Sequence, residues 1–220
     1  MTQNELQRRL NQPYSTENWK EVVQEVFPNV QLLNPVLTIP VDNPKVESFR
    51  QLGNVRLQDG KSLALFELKL KSNVNILRNR VELNNLVSQY IDQEQNHGVL
   101  SIFEQGGEDY RFTFSARATE FDETEADFVT KKTDTKRFTY VLGKNESCKT
   151  PAQRLHDLST KKDQADISTI QDAFSVEKLS KEFFAEYKVH YEQMVKFLTE
   201  TPSYKSAIFK GDEKSIRDFV

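Results

Sequence analysis

Apolar residues recur at helical spacing near both ends of the chain and at strand spacing through its middle. Near the amino terminus this pattern predicts helices over 4–11 and 15–27, the second ended by Pro28. Towards the carboxyl terminus it predicts helices over 151–160, 166–174 and 175–199. Thr150 is the expected cap of the first of these, with Pro151 at its first helical position.

The middle of the chain shows the pattern of strands with one helix among them. Pro35 and Pro40 interrupt the apolar stretch 30–41, which predicts an irregular or edge strand. Residues 53–71 predict a hairpin, with Asp59-Gly60 as a two-residue turn. A helix is expected over 76–95, a polar loop over 122–135, and strands over 98–104, 110–121 and 137–142.

These elements predict an α/β fold with a mixed central sheet flanked by helices, followed by a helical segment. The expected boundaries are 1–148 for the α/β domain and 149–220 for the helical segment. A length of 220 residues suits this organisation. Because no domain is visible after the last long helix, we expect the chain to be a fragment of a longer polypeptide.

Composition narrows the functional classes. No apolar run approaches the ~18 residues of a membrane span, the first residues lack a signal-peptide pattern, and Cys148 is the single cysteine. Together these features favour a cytoplasmic protein with no membrane partner. The net charge of −3 disfavours a protein that binds nucleic acid over its whole surface, but not one with a local basic patch.

The residues most indicative of chemistry follow the apolar run 63–66. Glu67 and Lys69 lie two apart on a predicted strand, so their side chains share one face. A carboxylate and a backbone carbonyl, here those of Glu67 and Leu68, can hold Mg²⁺. The metal would acidify a water molecule, and Lys69 would orient that water or stabilise the charge that develops on phosphorus. The pattern is therefore suited to phosphodiester hydrolysis.

The order strand, turn, strand, Glu67-Leu68-Lys69 and helix resembles the PD-(D/E)xK nuclease superfamily. The stretches 52–70, 78–91, 96–104, 108–116 and 136–155 resemble the amino-terminal region of bacterial restriction enzymes, both combined restriction–methylation enzymes (type IIG) and type I-like restriction subunits. Residues 173–188 resemble the helical connector that precedes the adenine methyltransferase domain in the combined enzymes. The resemblance implies Mg²⁺ as cofactor, double-stranded DNA as substrate, and downstream methyltransferase, target-recognition or motor domains as partners.

The second metal-binding acid is the open part of this hypothesis, since the superfamily places an Asp opposite the Glu across the hairpin. The motif spacing suggests Asp59 as that acid and as a catalytic residue. A two-residue turn at Asp59-Gly60 instead places Leu52 opposite Glu67 and Asp59 up to ~26 Å away at ~3.3 Å per residue. Three alternatives remain open. The turn lies at a position other than 59–60, the acid comes from elsewhere, with Asp42 and Glu47 as candidates, or Asn54 occupies the site, which would weaken or abolish cleavage.

Basic residues cluster around the predicted motif. From Lys61 to Arg80 there are five basic residues and one acid. Three of them are candidate contacts to the DNA backbone, namely Lys71, Arg78 and Arg80. The basic residues between 131 and 137 are expected to form a solvated loop, and the three histidines show no metal-ligand spacing.

Three functions follow from these observations. The first is a Mg²⁺-dependent DNA endonuclease domain of a restriction–modification enzyme. The second is a degenerate, non-catalytic nuclease fold that contacts DNA or docks another domain. The third, a purely structural domain, predicts that Glu67 and Lys69 are buried in a closed ion pair.

Overall fold

The residues described by the computed structural model, 1–91, 96–122 and 127–201, contain one mixed six-stranded sheet. Its strands lie side by side in chain order. They are antiparallel except for β3 and β4, which run parallel. Their bounds are β1 Val30–Thr38, β2 Val46–Arg56, β3 Ser62–Leu70, β4 Asn96–Glu104, β5 Asp109–Asp122 and β6 Asp127–Gly143. The predicted α/β fold with a mixed sheet is confirmed, and β1 is the expected edge strand.

Helices from the first 174 residues cover both faces of this sheet, and a further helix follows them in the chain. The bounds are α1 Gln3–Leu10, α2 Thr16–Val26, α3 Ile76–Ser88, α4 Lys149–Ser159, α5 Ile167–Phe174 and α6 Val176–Glu200, with a short 3₁₀ turn at Lys162–Gln164. Helix α3 supplies the crossover that a parallel pair such as β3 and β4 requires.

The core has two layers, one on each side of the sheet. The first face of the sheet packs against α1, α2, α4 and α5, where Trp19 meets Phe112 with ring centroids 4.6 Å apart. The second face packs against α3 through Leu83 and Val87, and carries Phe66. Strand β3 lies between the layers, so its residues from 63 to 68 are all at most 2% exposed. This burial on both faces explains the continuous apolar run in the sequence.

The β2–β3 hairpin differs from the prediction in register. The loop spans three residues, 58–60, because Leu57 N–H donates to Lys61 O at 2.8 Å. Gly60 takes a φ of +80°, a left-handed conformation that glycine adopts without steric cost. A further register shift lies between Gln51 and Gly53. Glu67 therefore lies opposite Arg50, and the predicted pairing with Leu52 is wrong.

Three other boundaries also differ. Residues 122 and 127–135, predicted as loop, belong to β5 and β6, which pair as a long antiparallel ribbon; residues 123–126 lie outside the described part. Helix α3 ends at Ser88, earlier than predicted, and residues 92–95 of the predicted helix lie outside the described part of the chain. Helix α4 is preceded by Cys148, with φ of 46°, as its cap residue, so Thr150 is within the helix.

The chain divides into two compact units, Met1–Phe174 and Ser175–Val220. Helices α4 and α5 belong to the first unit, because their apolar residues complete the core on the first face of the sheet. The sequence pattern had placed the start of the helical region at 149. In the second unit, α6 exposes several large apolar side chains, among them Phe183, Phe184 and Tyr187.

Within the described residues, no helix has both the length and the apolar character needed to cross a lipid bilayer.

Candidate functional site

Glu67 is a buried carboxylate with every acceptor position engaged. Its side chain is 2% exposed. Tyr14 Oη and Thr16 Oγ1 donate to Glu67 Oε2 at 2.5 and 2.7 Å. Arg50 Nε donates to Glu67 Oε1 at 2.7 Å, and the Arg50 Nη2 atom bonds the same oxygen. A carboxylate offers about four lone-pair positions, and four donor groups occupy them here.

Three separate elements deliver these donors. Arg50 comes from β2, directly opposite Glu67. Thr16 is the first residue of α2, and Tyr14 precedes it in the α1–α2 connection. Two of the donors are also tied to each other, since Arg50 Nη2 donates to Thr16 Oγ1 at 3.2 Å. Glu67 is thus the point at which β2, β3 and the start of α2 are joined.

The Tyr14 hydroxyl is held in its protonated form. Burial raises the pKa of Tyr14 far above its ordinary value, and the negative charge of Glu67 raises this pKa further. The ring lies against Tyr110, with centroids 5.4 Å apart. Tyr14 therefore serves as a fixed hydrogen-bond donor to Glu67.

The arrangement around Glu67 does not fit a magnesium ion. Mg²⁺ needs free carboxylate oxygens in an octahedral shell, whereas both oxygens of Glu67 accept bonds from a guanidinium and two hydroxyls. The position opposite the Glu, where the resemblance implies a metal-binding Asp, holds Arg50. Across the described residues, no three or more His, Cys, Asp or Glu side chains are placed to hold a metal together.

Lys69 lies near this cluster but pairs elsewhere. Its Nζ is 2.7 Å from Glu47 Oε1, and both side chains are about half exposed. The hydrogen bond to Glu47 raises the pKa of Lys69, so the amine is charged. Glu67 has its ion pair with Arg50, and the closed Glu67–Lys69 pair expected for a purely structural domain is not the observed arrangement. Leu68 is buried, between Phe49 and Phe103 on the neighbouring strands.

The first candidate for a second acid, Asp59, lies apart from the Glu67 carboxylate. Asp59 sits in the hairpin loop, where it accepts from Lys61 N–H at 3.2 Å and pairs with Lys61 Nζ at 2.9 Å. That loop is at the far end of β3 from Glu67. Asp59 is therefore a turn residue of the β2–β3 hairpin.

Of the three other residues considered for this position, two contact residues other than Glu67 and the third is exposed. Glu47 is paired with Lys69. Asn54 Oδ1 accepts from Gln51 Nε2 at 3.0 Å. Asp42 is an exposed residue of the β1–β2 connection. Glu47 and Asp59 are thus each paired with a lysine, and the residue opposite Glu67 is Arg50, so this arrangement does not assemble the predicted metal site.

The predicted DNA contacts Lys71, Arg78 and Arg80 are all exposed. Among the described side chains, no carboxylate forms an ion pair with any of the three. Arg78 contributes its backbone N–H to Asn75 Oδ1 at 3.0 Å, which caps the start of α3. Since α3 covers the second face and Glu67 bonds to groups from α2 on the first, Arg78 and Arg80 lie across the sheet from Glu67.

Sequence reasoning did not find Tyr14, Thr16 or Arg50. The strand alternation puts Glu67 on a definite face, but it does not reveal which helix covers that face. Arg50 could have been found only by locating the register shift beside Leu52, for which no local turn signal exists.

No protein-family model matches the chain, and neither the curated proteins nor the solved structures provide a significant match. The geometry of the molecule and the residue patterns are therefore the basis for a functional proposal.

Proposed function

We propose that this chain carries a nuclease-type α/β domain that contacts double-stranded DNA without cleaving it, as part of a larger cytoplasmic restriction–modification enzyme. The observation that carries the proposal is the saturated carboxylate of Glu67. An arginine, a tyrosine and a threonine occupy the oxygens that a metal ion would need. Downstream methyltransferase, target-recognition or motor domains would supply sequence recognition and modification.

The order of elements supports the nuclease-type ancestry. An antiparallel hairpin leads into β3, Glu67 and Lys69 lie near the end of that strand, and α3 connects it to the parallel strand β4. This is the order in which the resemblance places its motif. The replacement of an opposed acid by Arg50 is what separates the chain from an active site of that type.

The basic residues in the first turns of α3 and just before it support a contact with DNA. Lys71, Arg78 and Arg80 are exposed and carry three positive charges within an acidic protein. Phosphate contacts of this kind position a protein on the duplex without reading its sequence. The backbone N–H groups at the start of α3 add a positive dipole end on the same side.

Mg²⁺-dependent cleavage by Glu67 and Lys69 is the competing hypothesis, favoured by their shared face of β3. It requires Arg50 to leave Glu67 and an acid to enter. Breaking a buried ion pair by losing one partner costs about 3–5 kcal/mol. Arg50 is 36% exposed, so the cost here is at the lower end of that range. The binding of DNA would have to supply this free energy.

Cleavage assays on the full-length enzyme in Mg²⁺ separate the two hypotheses. We expect Glu67→Gln and Lys69→Ala to leave any cleavage unchanged, as should the control Glu108→Gln, which alters an exposed ion pair with Lys144. Lys69→Ala matters because it leaves the core intact while removing the second motif residue. Loss of cleavage in both motif variants, with DNA binding retained, would overturn the non-catalytic proposal.

A further inference from the structure

Three arginines converge on a small cavity across the sheet from Glu67. Arg80 comes from α3, Arg111 from β5 and Arg137 from β6, and together they line a space of about 130 Å³. Its apolar wall is formed by Leu83 and Phe103, which belong to the core layer under α3. The cavity therefore combines a buried apolar wall with a cationic opening.

The positive charge at this cavity is not balanced by an ion pair. Among the described residues no salt bridge joins Arg80, Arg111 or Arg137 to an acid, although the charge of Glu146 acts on Arg111. Burial lowers the pKa of Arg111, against a smaller opposing effect of Glu146. Burial also lowers the pKa of Arg137, and the charges of Arg80 and Arg111 lower it further. Like charges held close in a partly desolvated place raise the free energy of the empty cavity, and an anion would reduce it.

Some of the polar groups at the cavity are held in place by hydrogen bonds within the chain. Arg137 Nη1 donates to the backbone oxygen of Arg80 at 2.6 Å, which fixes its guanidinium beside α3. Thr113 and Thr139 face each other across β5 and β6, with their hydroxyl oxygens 3.0 Å apart, and both line the cavity. Ile76, the first residue of α3, lines it as well, so the positive end of that helix is nearby.

We propose that the cavity lined by Arg80, Arg111 and Arg137 binds a single phosphate group. Guanidinium groups match phosphate oxygens with paired hydrogen bonds. The hydrogen bond between Thr113 and Thr139 leaves one of their two hydroxyl hydrogens free to donate as well. At ~30 Å³ for each water molecule, the space of about 130 Å³ has room for a group of phosphate size. The group belongs to a small phosphate ligand or to a DNA backbone, and the chemistry is the same for both.

Titration of the chain with inorganic phosphate, followed by the NMR signals of the arginine Nε–H groups, tests this site without DNA. We expect phosphate to shift the signals of Arg111 and Arg137, whereas chloride at equal ionic strength does not. Arg111→Gln and Arg137→Gln should each weaken phosphate binding by roughly ten- to a hundredfold. The matched control Arg56→Gln removes an exposed charge from β2 and should bind as the natural protein does.

Arg111→Lys keeps the charge and loses the planar fork, so a folded Arg111→Lys with weakened binding supports the site even if Arg111→Gln fails to fold. Competition identifies the source of the group. Displacement of phosphate by a nucleoside monophosphate alone indicates a small ligand, and displacement also by an unphosphorylated duplex indicates a backbone phosphate. The proposal is overturned if phosphate binds no better than chloride, or binds Arg111→Gln, Arg137→Gln and Arg56→Gln equally. Failure of the duplex to bind would contradict the proposed function alone.

Discussion

Arg50 lies directly opposite Glu67 across the β2–β3 pair and donates Nε to the Glu67 carboxylate at 2.7 Å. The two side chains form an ion pair in which Glu67 is buried and Arg50 reaches the surface. The opposed residue is a cation where a nuclease of the resembling type has an acid. The pair turns a potential metal ligand into a part of the structural framework.

Arg50→Met should destabilise the domain strongly, because it leaves the buried Glu67 carboxylate without its cation. The expected loss is about 3 kcal/mol in the free energy of unfolding, the lower end of the range for breaking buried pairs. Urea unfolding followed by circular dichroism measures it. The double variant Arg50→Met/Glu67→Gln should recover much of the loss, since it removes both charges and leaves an amide oxygen to accept from Tyr14 and Thr16. A single variant as stable as the natural protein would show that the pair is unimportant.

Tyr14→Phe should destabilise the domain by about 1–3 kcal/mol, because a hydrogen bond to a buried charged group is lost while the ring remains. Tyr110→Phe is the matched control. Its hydroxyl makes only a long contact, 3.4 Å from Leu10 O, and its ring packs in the same layer. Thermal unfolding of the two variants compares them directly. Equal losses would contradict a special role for the Tyr14–Glu67 bond.

The free energy of unfolding should fall at alkaline pH, because tyrosines that are buried in the folded chain ionise more readily once it unfolds. Burial raises the pKa of Tyr140 to about 12, and it also raises the pKa values of Tyr14 and Tyr110. Unfolded tyrosine has a pKa of about 10. A raised folded pKa means that the stabilisation is complete below about pH 10 and is lost as pH rises towards 12.

Urea midpoints measured between neutral pH and pH 11, together with tyrosinate absorbance, test this dependence. Tyr140→Phe should make the alkaline decline shallower. Tyr187→Phe, which changes an exposed tyrosine of α6, should leave the decline unaltered. Tyrosinate absorbance that rises near pH 10 for every tyrosine, before unfolding, would contradict the prediction.

DNA binding should weaken when the basic residues beside α3 lose their charge. The double variant Lys71→Gln/Arg78→Gln should lower affinity for any duplex and reduce the salt dependence. Each lost phosphate contact should reduce the slope of log affinity against log salt by about 0.9. Fluorescence anisotropy of a labelled duplex over a salt series measures both quantities. Arg56→Gln is the control, and an equal effect of that variant would point to net charge alone.

Much of the fold could be predicted because its signals are local. The continuous apolar run of 63–66 predicts a strand buried on both faces, and Pro35 within β1 indicates a sheet edge. The two-residue spacing places Glu67 and Lys69 on one face of β3. The extension of β6 back to Asp127 could not be predicted, because most of residues 127–136 are polar.

The candidate site was less accessible to sequence reasoning. Its partners Tyr14, Thr16 and Arg50 are separated from Glu67 by 53, 51 and 17 residues. The register that pairs Arg50 with Glu67 depends on a shift beside Gly53, where a side chain would collide with the backbone of β1 at Gln31 O, 2.3 Å away. That approach of three strands is a tertiary contact, and no turn signal in the hairpin encodes it.

The sequence by itself determined the class of the fold, the burial of β3, and the presence of a carboxylate and a lysine on one face of it. The spacing of apolar residues and the composition are properties of a single segment, so they can be interpreted without knowing which segments pack against it. Only the tertiary structure decided that Arg50 neutralises Glu67, and that Arg80, Arg111 and Arg137 meet at one cavity. Charges interact through space, and their partners are set by the packing of distant segments.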